Sequence, residues 1–159
     1  MLLRLSQLKD AGQLMDLDAL IWDVHTAPAP VIWRTKELFL RSSPPGSQIV
    51  AVDEDERLCG YLGFRHPMGA ESNRHVWEIA VAVHPSYQRQ GIGHALMNSI
   101  KGVAREKGIR KLRLRVLSSN TAAISFYKRC GFVEEGRLVG EFYLEEQYVD
   151  DVLMAVHIR

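Results

Sequence analysis

The chain has 159 residues, 47% of them hydrophobic, which fits one domain that buries its own core without disulfides or structural metals. Its 20 Lys and Arg face 19 Asp and Glu, a formal net charge of +1, and this balance gives no argument for nucleic acid as a partner. Cys59 and Cys130 stand in apolar surroundings and read as reduced thiols ahead of a disulfide or a reactive thiolate. The six histidines form no metal-ligand spacing, so no metal is expected.

The N-terminus Met1-Leu2-Leu3-Arg4-Leu5 carries charge too early for a signal peptide. No window approaches the ~18 apolar residues of a membrane span, so a soluble cytoplasmic protein is the expectation. Residues 1–6 predict a short strand. Leu8, Ala11, Leu14, Met15, Leu17 and Ile21 recur at helical spacing and predict an amphipathic helix over 9–22. Pro28 and Pro30 break it, and a second helix is expected over 31–41, ended by Ser42-Ser43-Pro44-Pro45-Gly46. Residues 48–52 and 57–65 predict an antiparallel hairpin around the acidic turn 53–56. Residues 75–84 predict a third strand, apolar almost throughout, which suggests burial on both faces. A helix is expected over 92–107, a half-exposed strand over 111–117 and a short helix over 120–130. Two last strands are expected over 132–139 and 148–158, joined by a polar connection. The order predicts one α/β domain over 1–159, with a mixed sheet and helices on both faces.

The strand ending at Val83-His84-Pro85 leads through Ser86-Tyr87 into Gln88-Arg89-Gln90-Gly91-Ile92-Gly93 and then a long helix. Glycines at 91 and 93 let backbone N–H groups approach a ligand, and at a helix N-terminus such groups favour phosphate. The dinucleotide fingerprint is absent, because Leu96 stands where its third glycine belongs, and no GK[ST] occurs. Two readings stand at this point: a phosphate cradle, or glycines that only shape a turn.

Val81-Ala82-Val83-His84-Pro85 followed by QxxGxG resembles the acetyl-CoA motif of the GNAT superfamily of N-acetyltransferases. Asn120 to Phe132 is similar to that family's N-x-x-A-x-x-x-Y-x-x-x-G-F helix, and Tyr148 to Met154 is similar to the ending of many bacterial members. The two central motifs stand in the family's order and spacing, and the resemblance covers essentially the whole chain. It implies a GNAT-like fold with splayed strands at an acetyl-CoA site and acetyl-CoA as co-substrate.

Residue by residue, the resemblance implies that the backbone of Val81, Ala82 and Val83 pairs with the pantetheine arm as an added strand would. The loop Gln88, Arg89, Gln90, Gly91, Ile92, Gly93 and His94 would hold the pyrophosphate, with the Arg89 side chain as counter-charge or simply solvated. Asn120 is a contact to pantetheine or a plain N-cap. Tyr127 is the general acid for the leaving thiolate, or else a core aromatic. The glutamate that some members place five residues before the Asn is Arg115 here, so that base is lost. The remaining candidate is Glu78, as base or water organiser, with a salt-bridged structural role as the alternative. The Val83 amide suits an oxyanion-hole role.

The acceptor is expected opposite the co-substrate, between residues 22–33 and the acidic stretch 141–146. That stretch is either an acidic wall for a cationic amine or an ordinary solvated loop. Arg110, Lys111, Arg113 and Arg115 read as a 3′-phosphate contact or, first, as a solvated strand face. The expected activity is acetyl transfer to a small amine, an amino acid or a peptide N-terminus. A non-catalytic CoA-binding module is the alternative; the sequence leaves the oligomeric state open, between a monomer and the homodimer through the final strands that the family resemblance implies for many members. No nucleic-acid and no membrane partner is expected.

Overall fold

The computed structural model describes residues 1–159. Its strands are β1 Leu2–Leu5, β2 Gln48–Val52, β3 Leu58–Arg65, β4 Val76–Val83, β5 Lys111–Leu117, β6 Val133–Leu144 and β7 Gln147–His157. Its helices are α1 Ala11–Ile21, α2 Lys36–Ser42, α3 Ile92–Glu106 and α4 Thr121–Arg129. The strands form one mixed sheet in the order β1-β2-β3-β4-β5-β7-β6. Only the β4–β5 pair is parallel. No helix is long and apolar enough to cross a membrane.

Strand alternation divides the core between the two faces. Ile49, Ala51, Leu62, Trp77, Ile79, Leu112, Leu114, Val152 and Met154 pack with Leu96, Met97 and Ile100 of α3 and with Tyr127 of α4. On the other face Val50, Val52, Tyr61 and Ala82 meet Leu14 and Leu17 of α1 and Phe39 of α2. Helices therefore lie on both faces, as the element order predicts. The second face is covered only as far as β4, because α1 packs on β3 and β4.

Three sequence expectations change. The second helix is Lys36–Ser42 rather than 31–41, because Trp33 is tied by its indole to Asp18 of α1 and Thr35 caps the helix by accepting from the Leu38 N–H. β6 continues to Leu144, so the acidic stretch 141–146 is strand plus a tight turn in which Glu145 and Glu146 both take positive φ. β4 is not buried on both faces: Ala80 is exposed and Val81 and Val83 are half-buried. The cause lies in its pairing.

Candidate active site

β4 and β5 pair only at Val76 with Lys111, Trp77 with Leu112 and Glu78 with Arg113. Beyond Glu78 the strands part. β4 keeps its bonds to β3 as far as Val83 opposite Gly60, and β5 keeps its bonds to β7 as far as Leu117 opposite Asp151. The backbone from Ile79 to Val83 thus has a partner strand on one side only, and a wedge opens toward the carboxyl ends of both strands. Extended backbone with one free edge accepts an added strand-like ligand. Val81, Ala82 and Val83 lie on that edge.

The loop follows at once. The His84 N–H donates to the Cys59 carbonyl at 2.8 Å, and the Ser86 N–H donates to His84 Nδ1 at 3.1 Å. The Tyr87 hydroxyl donates to Asp53 at 3.0 Å, which pins the loop to the β2–β3 turn. Arg89 and Gly91 then take φ of +64° and +78°, turning the chain into α3. Gly91 is its N-cap and supplies no side-chain cap, so the N–H groups of the first turn are left for a ligand. The left-handed φ at Gly91 is the reason for glycine there. Gly93 is a glycine for another reason: a Cβ would stand 3.0 Å from the Phe126 ring. That close approach lays α4 against the first turn of α3. The Arg89 side chain is exposed and enters no ion pair, while Gln88, Gln90 and His94 are exposed beside it and Ile92 is core. This arrangement fits acetyl-CoA: a strand edge for the amide arm, and a fresh helix N-terminus with a free cation for the phosphates.

Asn120 accepts from the Ala123 N–H at 3.2 Å and so caps α4. Its side-chain NH₂ has no partner in the chain and can still donate. Tyr127 is buried, with Phe126 and Phe132 around its ring, so it is a core aromatic. Its hydroxyl makes no hydrogen bond within the chain, and burial, with a smaller contribution from Cys130, pushes its pKa up to about 12. It stays a protonated phenol across the working range, as an acid must.

Glu78, at the last paired step of the wedge, is enclosed by cations. Arg65 Nη2 donates to it at 2.8 Å, while Arg113 Nε lies 3.6 Å and Arg115 Nε 3.9 Å from Oε1. Its side chain is 16% exposed, and it holds the salt-bridged position that stood as the alternative to a base. Within the basic run 110–115 the partners change along the strand. Arg113 and Arg115 face this network, Lys111 is paired with Glu135 at 2.8 Å, and Arg110 lies at the far end of β5.

Sequence reasoning passed over two carboxylates on this face. Asp18 is 4% exposed with no cation beside it. The Tyr61 hydroxyl donates to its Oδ1 at 2.5 Å, Trp22 Nε1 to Oδ1 at 3.1 Å and Trp33 Nε1 to Oδ2 at 2.7 Å. An acid on the apolar stripe of α1, four residues before a Trp, was the available signal. The other is Asp151, almost fully buried and bonded by Arg115 Nη1 at 3.1 Å. The α1–α2 segment and the β6–β7 turn meet where His25 Nε2 lies 3.8 Å from Glu145. A depression of about 590 Å³, lined in part by Arg74, His75, Trp77 and Lys107, lies at the opposite end of the sheet. None of the wedge or loop residues reaches it.

The chain is 36% identical over 78 residues to ribosomal protein bS18-alanine N-acetyltransferase of Escherichia coli K12, covering 49% of this chain. The chain spans about half of that relative's length, 53%. The solved structure of smu.2055 from Streptococcus mutans UA159 superposes with a TM-score of 0.91 at 28% identity over 100% of both chains. A phosphinothricin acetyltransferase from Sinorhizobium meliloti, solved with AcCoA, matches with a TM-score of 0.82 over 99% of this chain and 88% of its own. At 20% identity that likeness speaks to the fold alone. The Acetyltransferase (GNAT) family model matches residues 14–132, spanning the wedge, the loop and the Asn120–Tyr127 helix, and the chain belongs to that family.

Proposed function

We propose that the protein transfers the acetyl group of acetyl-CoA to a primary amine, by direct attack of the amine on the thioester. The observation that carries this is the parting of β4 from β5 after Glu78, with a helix N-terminus at the end of the freed strand. Relatives named for alanine N-acetylation, spermidine N1-acetylation and L-amino acid N-acylation favour a small amine, an amino acid or a peptide N-terminus as acceptor here.

In this reading the Val81–Val83 edge and the loop 88–94 hold the co-substrate, and Asn120 donates to its arm through the NH₂ that capping leaves free. The Val83 N–H serves the developing oxyanion. Tyr127 gives its proton to sulfur as the C–S bond breaks. Glu78 orients Arg65, Arg113 and Arg115 on the floor of the wedge, beneath the exposed Ala80. Three guanidinium groups disfavour another cation, so an amine arriving there sheds its proton more readily. Much of the rate comes from holding amine and thioester together.

The test is thiol release from acetyl-CoA with spermidine, a set of L-amino acids and a peptide beginning with alanine. Wild type should turn over at least one. Tyr127→Phe should lower kcat about 10²-fold while acetyl-CoA binding and thermal stability hold, because the lost hydroxyl makes no hydrogen bond in the chain. A wild type that binds CoA and acetylates nothing in the panel overturns the proposal.

A further inference from the structure

The register of β5 on β7 sets Leu117 opposite Asp151 and Arg115 opposite Leu153. Since Leu112, Leu114, Val116, Val152 and Met154 belong to the α3-side core, alternation turns Arg113, Arg115 and Asp151 to the other face, which Glu78 shares. Asp151 lies at the end of β5, where the wedge is widest, and Glu78 lies at its closed vertex. Arg115 reaches both carboxylates: Nη1 donates to Asp151 Oδ2 at 3.1 Å and Nε lies 3.9 Å from Glu78 Oε1. Arg115 stands where some relatives by resemblance carry the glutamate base, and the nearest carboxylate on the neighbouring strand is Asp151.

The two acids differ in how they are held. Glu78 faces three guanidinium groups. Asp151 has one, and its Oδ1 makes no hydrogen bond within the chain and is not sealed from solvent. Its side chain is only 5% exposed. Burial raises its pKa, Arg115 opposes, and the nearby Glu141 and Glu78 add to the rise. A carboxylate that is desolvated, singly paired and open on one oxygen is the better proton acceptor.

We propose that Asp151 is the general base that takes the proton from the acceptor amine, with Arg115 as its positioning residue. The proposal rests on the acetyl-transfer reading. Asp151 removes one proton from R–NH₃⁺ and passes it to water. The freed nitrogen lone pair forms the C–N bond to the acetyl carbonyl carbon. The C–S bond breaks as Tyr127 protonates sulfur. The second proton shed by nitrogen as the amide forms restores the Tyr127 phenol, and the third remains on the amide.

The experiment compares wild type, Asp151→Asn, Glu78→Gln and Arg115→Gln, using the panel amine that wild type turns over fastest. Asp151→Asn should lower kcat about 10²-fold, keep acetyl-CoA affinity and lose the acid limb of the kcat/KM profile. Arg115→Gln removes the cation that lowers the Asp151 pKa, so its acid limb should move to higher pH. Retention of rate and acid limb in Asp151→Asn, or their loss in Glu78→Gln instead, overturns the proposal. A carbon-13 NMR titration of the Asp151 carboxyl in wild type needs no acceptor. It should titrate above 3.8, the ordinary value, and a value at or below that overturns the proposal even if no amine in the panel reacts. Absence of turnover by wild type counts against the acetyl-transfer reading instead.

Discussion

The two faces of the sheet share one rule of alternation and come to opposite ends. On the α3 side, 21 buried residues make a continuous core from β2 to β7. On the α1 side only 9 do, and the helices stop at β4. There the strand positions that would be apolar under a helix are Glu78, Arg113, Arg115 and Asp151. Helix coverage therefore decides where charge resides. Covered strand faces can be apolar throughout, whereas an uncovered face beside a strand wedge admits water and substrate, and its charges pair with one another. Stability should accordingly reside on one face and proton chemistry on the other.

The largest test of that division is Leu96→Ala. Leu96 is fully buried in the α3-side core, and its truncation should cost about 2–5 kcal/mol in urea unfolding. A loss under ~1 kcal/mol would mean that this face collapses around the gap and is not the rigid side of the molecule.

The same division explains what was legible in the sequence. On the α3 side the sequence is transparent, because helical and strand periods there coincide with burial, and Gly91 and Gly93 mark real geometric needs. The other side is opaque. Residues 31–35 look helical by composition, but the Trp33 indole bonds Asp18 and keeps them irregular, a tertiary contact that overrides propensity. The end of β6 is hidden in the sequence because its turn uses Glu145 and Glu146 at positive φ, where Asn or Gly would announce it. Glu78 could be noticed as an acid in an apolar strand, but its three arginines come from β3 and β5, and only the sheet order brings them together. Asp151 was invisible as a partner of Arg115 for the same reason.

An intermediate effect is expected at the border between the two regimes, where α1 still covers the sheet. Asp18 has no cation, and it is held by three neutral donors. Asp18→Asn keeps one acceptor oxygen and turns an NH₂ toward at least one of Tyr61, Trp22 or Trp33, which leaves buried donors unpaired. The cost should be about 1–3 kcal/mol, together with a red shift of tryptophan emission as Trp22 and Trp33 loosen. Unchanged emission would show that packing alone, without the carboxylate, holds the α1–α2 segment.

The smallest effect is expected where the two sides of the open face touch. His25 and Glu145 lie 3.8 Å apart with both side chains mostly in water, a geometry in which the gain is offset by side-chain entropy and screened by salt. Glu145→Gln should therefore change stability by less than ~0.5 kcal/mol, at low and at high ionic strength alike. If it instead cost as much as Asp18→Asn, and only at low salt, the α1–α2 segment and the β6–β7 turn would form a true clasp. The face would then be covered after all, by loop in place of helix, and the burial of Asp151 would follow from that clasp. The contrast between a covered and an uncovered face would become one between a permanent cover and a removable one.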